Sequence, residues 1–393
     1  ARLFASLTDY ILVYRKSSVV DYLRAPRTEK SDSIYSNPDN DPRGVWTSVS
    51  YVNPATKEQR PNLTYPIINP ITGQEVNHPT NAWKYEYERH LIHVKENRLY
   101  WGANGENTYP RLKKFLCEVE DGMVPVNLWK REDVGTTDAA SKELSILMGA
   151  KIFDFPKPVD LVKFMSQIVA SDKDSIILDF FSGSATTAHA VMQLNAEDGG
   201  HRKFICVQLP EKTDEQSEAY KAGYKTICEI GKERIRRAGE KIKEENKDKE
   251  GIENLDIGFK VFKLDSSNLV KWDNTPTTDE EEVKTRIQDS LFYLVEGRED
   301  LDLVYEIMLK YGLSLTLPVE ERKFDGVTAY IINHPDYKVL ICLQPNITLS
   351  AVEEMDKETI GTYIFADRCF ADANILSNTE EILKKKDKEM RLF

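Results

Sequence analysis

Residues 175–200 read Ser-Ile-Ile-Leu-Asp-Phe-Phe-Ser-Gly-Ser-Ala-Thr-Thr-Ala-His-Ala-Val-Met-Gln-Leu-Asn-Ala-Glu-Asp-Gly-Gly, joining an apolar run to an acid, a loop of small residues and a helical pattern. The β-rich stretch 175–180 is short and bounded by polar residues, and Ala188, Val191 and Leu194 recur at helical spacing beyond the loop. The loop is therefore expected at the carboxyl end of a strand. There it faces a helix amino terminus, whose free N–H groups favour a carboxylate or a phosphate. Gly183 is the single glycine among Ser182, Ser184 and Ala185, and no Gly-Lys-Ser/Thr follows. Neither a dinucleotide fingerprint nor a P-loop is well supported by that pattern. Asp179 at the strand end suits an ammonium group, and the loop amides suit a carboxylate. Together these demands describe the methionine half of S-adenosylmethionine.

The neighbouring elements must hold this loop in place. Upstream, Phe155-Pro-Lys-Pro158 leads into Val159, Leu161, Val162, Phe164, Met165, Ile168 and Val169, an amphipathic helix feeding the loop-bearing strand. Downstream, Lys203-Phe-Ile-Cys-Val-Gln208 reads as a second buried strand, roughly 30 residues on, the length of one βαβ unit. Such a strand ends beside a cofactor's ribose. Gln208, or Glu211 just after it, is placed to bond the diol; an ordinary strand-end polar group is an equal reading of either.

The run from Phe155-Pro-Lys-Pro158 through Asp179-Phe-Phe-Ser-Gly-Ser-Ala-Thr-Thr187, Asn195-Ala-Glu-Asp-Gly-Gly200, Val207-Gln-Leu-Pro-Glu211 and Glu233-Arg-Ile-Arg-Arg237 resembles the modification (Mod) subunit of type III restriction-modification systems. The resemblance extends to Asp256-Ile-Gly-Phe-Lys-Val-Phe-Lys-Leu264 and Phe365-Ala-Asp-Arg-Cys-Phe-Ala-Asp372. It implies a β-class amino-methyltransferase acting on the exocyclic amine of adenine in DNA. It also implies that Lys157, Pro158, Asp179, Phe180, Gly183, Ser184, Ala185, Thr186 and Thr187 line an S-adenosylmethionine site, with Gln208 toward the ribose.

Two departures from the family pattern bear on that expectation. The family loop is Phe-x-Gly-Ser-Gly-Thr-Thr, and Ala185 replaces its second glycine, which is tolerable if the position need not adopt positive φ. Gln208 stands where the wider class often has Glu, and an amide still hydrogen-bonds. The larger departure concerns catalysis. Amino-methyltransferases use Asp/Asn/Ser-Pro-Pro-aromatic, in which the polar group and a carbonyl hold the amine of the extruded base while the ring stacks on it. Asn37-Pro38, Asp41-Pro42, Asn53-Pro54 and Asn69-Pro70 all lack the second proline and the aromatic, and read as turns.

In the resembling class the catalytic half precedes the recognition region. This chain opens on Ala1, and Leu7-Thr-Asp-Tyr-Ile-Leu-Val-Tyr-Arg-Lys16 reads as the last strand of that half. The expectation is a fragment of a longer polypeptide, with no catalytic residue of its own and no methyl transfer unless the missing half is supplied.

At 393 residues and 40% hydrophobic content, the chain can bury two or three cores. No apolar run approaches the ~20 residues that span a bilayer, and five scattered cysteines read as free thiols of a cytoplasmic protein. His90-x-x-His93 lacks a third ligand pattern, and His189 reads as a helix-face residue, so neither a metal site nor a general base is expected.

The formal net charge of −12 argues against a nucleic-acid partner, but its distribution does not. Residues 1–115 hold 16 Lys+Arg against 12 Asp+Glu, whereas the remainder holds 37 against 53. A polyanion would favour the first region. Within 24–135 aromatics such as Trp46, Tyr51, Tyr65, Trp83 and Trp101 are interleaved with basic residues. By resemblance this interval is the target recognition domain. Arg43, Arg60, Lys84, Arg89, Arg111, Lys113 and Lys114 are its candidate contacts to double-stranded DNA. The plainer reading makes the aromatics a β-domain core and the charges a solvated surface.

Beyond the second strand, 219–247 reads as helical, 258–264 as a third strand of the cofactor half, and 273–282 as a linker. Helical 283–311 and strands at 327–332, 339–343 and 362–366 follow; Asp367 and Asp372 read as helix caps. By resemblance this last unit serves assembly with a second modification subunit or with the restriction (Res) subunit. The expected fold is mixed α/β: a partial doubly wound, Rossmann-like methyltransferase sheet with an inserted β-rich target recognition domain and a carboxy-terminal α/β domain. Boundaries are expected at 1–23, 24–135, 136–272 and 273–393. A non-catalytic DNA-binding and assembly module, or an RNA or small-molecule methyltransferase, are the competing readings.

Overall fold

The computed structural model describes residues 8–20, 22–119, 122–270, 275–290, 294–295 and 297–393. It is a mixed α/β chain with several sheets, divided into two compact units, Ala1–Ile257 and Gly258–Phe393.

The first unit holds a β-rich segment and an α/β segment. In the former, β1 (Trp46–Ser50) precedes β2 (Val52–Thr56), β3 (Asn81–Trp83), α1 (Tyr87–Lys95), β4 (Leu99–Tyr100) and β5 (Arg111–Phe115). β5 lies between β1 and β4, antiparallel to both, and β2 pairs with β3. Tyr51, Tyr65, Ile67, Trp83 and Trp101 form the core, and the Trp83 indole donates to Tyr65 O at 2.7 Å. The interleaved aromatics are thus mostly interior, because large rings bury the most surface in a small domain. Ala25 and Met123 exchange both backbone hydrogen bonds, closing the segment at its base. A Cβ on Gly122 would lie 2.8 Å from Ala25 O, so only glycine permits that approach.

The α/β segment follows with α2 (Thr137–Met148), α3 (Val159–Val169), β6 (Ile176–Asp179), α4 (Thr186–Asp198), β7 (Lys203–Cys206) and α5 (Ile227–Glu245). β6 and β7 pair in parallel, Ile176 opposite Lys203 and Asp179 opposite Cys206. α4 packs against α3 and α5, so it is buried nearly all round; Ala188, Ala190, Val191 and Leu194 are at most 2% exposed. The other face of this sheet is open. Ile176, Leu178, Ile205 and Val207 are 49–64% exposed, although parallel strands are ordinarily covered on both faces.

The strand expected at residues 7–16 is not formed among the described residues 8–16, and Leu7 lies outside them. Tyr10, Leu12 and Tyr14 are each more than three-quarters exposed. An apolar alternation becomes a strand only when a neighbour accepts its backbone hydrogen bonds.

The second unit is a five-stranded sheet in sequence order: β8 (Val319–Phe324), β9 (Val327–Asn333), β10 (Lys338–Cys342), β11 (Thr362–Phe365) and β12 (Glu389–Leu392). The first two pairings are antiparallel and the last two parallel. α6 (Asp300–Lys310), α7 (Leu349–Met355) and α8 (Ala373–Lys384) contribute Val304, Ile307, Val352 and Leu383 to its core. Asp372 caps α8, its carboxylate accepting from Asn374 N and Ile375 N.

Residues 258–264 form no strand and fall in this second unit, so the division lies before the expected boundary at 272/273. Lys260 Nζ donates to Leu315 O and Leu317 O, and Phe262 meets Tyr305 edge-on. The alternation of that segment is used to pack on a helix, not to extend the parallel sheet. Of the expected linker and helix that follow, residues 273, 274, 291–293 and 296 and the side chains of 287–290 lie outside the described residues.

Candidate cofactor site and nucleic-acid surface

β6 delivers Asp179 to the sheet's carboxyl edge because four residues of alternating burial pair with β7 up to that position. The chain then turns: Ser182 N donates to Val207 O at 3.1 Å, and Ala185 N to Ser182 O at 2.7 Å. Gly183 has φ 51°, and a Cβ there would lie 3.3 Å from the Phe153 ring. Ala185 has φ 62° and caps α4 in the left-handed region. The condition under which alanine would be tolerated without cost, that the position need not adopt positive φ, is therefore not met, and Ala185 bears about 1 kcal/mol of strain.

The Asp179 carboxylate accepts from Thr187 Oγ1 at 2.6 Å and from Phe181 N at 3.1 Å. Thr186 and Thr187 open α4, so their N–H groups have no acceptor within the helix. Thr186 Oγ1 donates to Lys157 O at 3.3 Å, which ties the loop to the segment preceding α3. Cys206, beside Asp179, has its thiol pushed up to about 12 by burial and then by that carboxylate. A thiol so held is unreactive.

A cavity of about 580 Å³ adjoins the loop, within the size range of small-molecule sites. Seven of the ten expected cofactor residues line it: Lys157, Asp179, Phe180, Gly183, Ser184, Thr186 and Thr187. Pro158, Ala185 and Gln208 do not. Pro158 caps α3, and Ala185 is buried against α5. Gln208 Oε1 accepts from Gly183 N at 2.7 Å, so in this structure the amide fastens the loop rather than offering its oxygen to a diol.

Sequence reasoning missed Phe153, Val162 and Met165 as cavity walls. Phe155, in the run that precedes α3, takes φ 55° and is 80% exposed at the cavity. His189 is buried, and its Nδ1 has no hydrogen-bond partner among the described residues. Burial first, then Arg234 and Lys241, hold its imidazole down at about 3. It is a neutral core residue, not a base.

The basic candidates of the β-rich segment separate into two groups. Lys113 is 2% exposed, its ammonium engaged by Asp39 and by Asp41 at 3.2 Å. Arg43 grips Asp41 through Nε and Nη2 and stacks over Phe115. These two are structural, and Arg43 holds the Asp41 carboxyl well below its usual range. Arg60, Lys84, Arg89, Arg111 and Lys114 are exposed, although Arg111 also binds Ser48 Oγ and Ser48 O. Lys113 misled the sequence reading because alternation along β5 turns it inward while Lys114 turns out. His90 and His93 face inward on α1, with the Tyr51 hydroxyl 3.3 Å and 3.0 Å from their Nδ1 atoms.

A family of DNA methylases matches residues 1–238. The StyLTI Mod subunit, a type III restriction-modification enzyme of Salmonella typhimurium, is 35% identical over 262 residues, covering 65% of this chain and 37% of that protein. The EcoPI Mod subunit of Escherichia phage P1 is 28% identical over 379 residues, covering 90% of this chain and 55% of that protein. The EcoP15I Mod subunit of Escherichia coli is 30% identical over 316 residues, covering 80% and 44%. The chain thus spans about half or less of the length of these curated relatives. With more than half of its own length matched by the family, the chain belongs to the DNA methylases.

Proposed function

We propose that this DNA methylase family member is the cofactor-binding and target-recognition part of an S-adenosylmethionine-dependent DNA adenine methyltransferase of a type III restriction-modification system. The observation that carries the reading is the loop at the carboxyl end of β6. It has a Gly183 N–H held by the Gln208 side-chain oxygen, a helix amino terminus behind it and a cavity of about 580 Å³ in front. That donor set fits the cofactor's amino-acid end: Asp179 for the ammonium, and the amides of Gly183, Thr186 and Thr187 for the carboxylate. Gln208 would release Gly183 and turn to the ribose. When bound, the cofactor supplies an electrophilic methyl group; this chain's part is to orient it and to exclude water with Phe153, Phe155 and Phe180.

Residues 24–135 are then the inserted recognition domain, a reading supported by the Ala25–Met123 closure. Arg60, Lys84, Arg89, Arg111 and Lys114 are its contacts to duplex DNA. The β6–β7 pair is part of a doubly wound sheet, and its open apolar face is where a further layer of that fold packs. The sequence carries no Asp/Asn/Ser-Pro-Pro-aromatic motif, so the amine-holding half is to be supplied by another segment. The second unit would bind a second modification subunit or the Res subunit, in the cytoplasm.

Methyl transfer from labelled S-adenosylmethionine to duplex DNA tests this directly, with and without a polypeptide bearing the Pro-Pro motif. Transfer is expected only with the added polypeptide. Transfer by this chain alone would overturn the division of labour, and failure to bind either cofactor or DNA would overturn the reading itself. The exposed Lys114→Ala should weaken DNA binding and lower its salt slope by about one.

A further inference from the structure

Two residues one turn apart on α5 support the cofactor loop from beneath. Gly231 brings α5 close under the loop: a Cβ there would lie in van der Waals contact, 3.4 Å from Gly183 O and 3.5 Å from Ala185 Cβ. Arg234 is completely buried. Its Nη1 donates to Ser184 Oγ at 2.8 Å and to Thr186 Oγ1 at 2.7 Å, with Ser184 O at a longer 3.5 Å.

A guanidinium in this position is costly unless its charge is answered. Its hydrogen-bond partners among the described residues are neutral oxygens, its Nε has none, and Glu143, the nearest acidic influence, is itself half-withdrawn from water. Burial draws the guanidinium down to about 10, which still leaves it charged at neutral pH. The positive charge therefore sits directly behind Ser184 and Thr186, where the α4 dipole is also positive. Two positive sources thus stand on one side of the same loop, and an anion in front of the loop would answer both. Arg234 also fixes hydroxyl directions. Because Thr186 Oγ1 accepts from Arg234, its own hydrogen is directed to Lys157 O, so one side chain orders the chain from α5 through the loop to the segment before α3.

We propose that Arg234, seated beside Gly231, is the positioning residue that holds residues 183–187 in their ligand-receiving shape and supplies the buried positive charge that selects the carboxylate end of the cofactor. This rests on the S-adenosylmethionine reading given above. Arg234 does not touch the cofactor; it acts through Ser184, Thr186 and the field behind them.

The test is calorimetric binding of S-adenosylmethionine and of 5′-methylthioadenosine, the same sulfur nucleoside without the amino-acid half. The whole chain is used as wild type, Arg234→Met, Arg234→Lys and the double variant Ser184→Ala/Thr186→Val. Arg234→Met should weaken S-adenosylmethionine about tenfold to a hundredfold, the worth of a charge-assisted bond, and change methylthioadenosine by less than about twofold. Arg234→Lys should recover part of that loss by restoring the charge. The double variant keeps the arginine and removes its anchors. It should weaken S-adenosylmethionine as well and speed amide exchange at 183–187, with β6 and α5 unchanged. Should Arg234→Met not fold, the lysine and double variants decide by the same readouts. Equal weakening of both compounds, or unchanged S-adenosylmethionine binding, would overturn the proposal while leaving the cofactor reading intact. A wild type that binds neither compound overturns both.

Discussion

The two α/β sheets of this protein are built from the same kind of strand and end in opposite conditions. β9, β10 and β11 bring Ile331, Ile332, Leu340, Ile341, Ile364 and Phe365 to 1% exposure or less, under three helices. β6 and β7 are as aliphatic, and they pair in parallel as β10 and β11 do, yet half or more of Ile176, Leu178 and Ile205 remains in water. An identical apolar pattern therefore does not mean an identical contribution to stability. The first sheet is a finished core. The second is covered on one face by α4 and its neighbours, and its other face carries apolar surface of the kind that marks an interaction site.

That difference can be broken or sharpened by measurement. The largest effect should come from Ile341→Ala, which empties a fully buried site in the closed sheet and should cost about 2–5 kcal/mol. Urea unfolding followed by a probe in the second unit reads it directly; a cost below about 1 kcal/mol would mean that this core is not the packed one described.

Next is a pH effect confined to the open-sheet unit. The His189 imidazole is held at about 3 when folded and near 6.5 when unfolded. Between those values the unfolded chain binds one more proton, so stability should fall as pH drops through that window, by roughly 1.4 kcal/mol per unit. His189→Gln should flatten the dependence. A wild type whose first unit shows no loss between about pH 6 and pH 4 would rule out the buried neutral imidazole.

Smaller again is Ala185→Gly, which removes left-handed strain at the loop and should stabilise the first unit by up to about 1 kcal/mol. Destabilisation would show that the methyl's packing beside Gly231 outweighs its strain. The smallest change should follow Ile176→Thr on the open face, where the side chain is 64% exposed. A shift beyond about 0.5 kcal/mol in the chain by itself would place Ile176 in a packed core and erase the contrast.

Much of the closed sheet was legible in the sequence because its three central strands are predominantly apolar. Both edge strands were not. β8 reads Val-Glu-Glu-Arg-Lys-Phe and β12 Glu-Met-Arg-Leu, the charged composition by which edges avoid pairing with other chains, and it hides a strand among surface charges. The turn between β6 and α4 was legible for a different reason, since strand-end acid, small residues and helical spacing are all local. Lys113 and Arg234 were not legible as interior residues: one sits in a basic run, the other in a helix dense with charge, and nothing local distinguishes a buried cation from a solvated one.

By itself, then, the order of residues determined the elements around Asp179 and the helix that follows the loop. It did so because strand propensity, turn composition and helical spacing act over a few residues. Only the tertiary structure decided that Ala185 takes positive φ, that Gln208 fastens Gly183, that Arg234 stands behind Ser184 and Thr186, and that one sheet is closed while the other is open. Each of those depends on a partner distant in the chain, and burial belongs to the assembled neighbours rather than to any segment read alone.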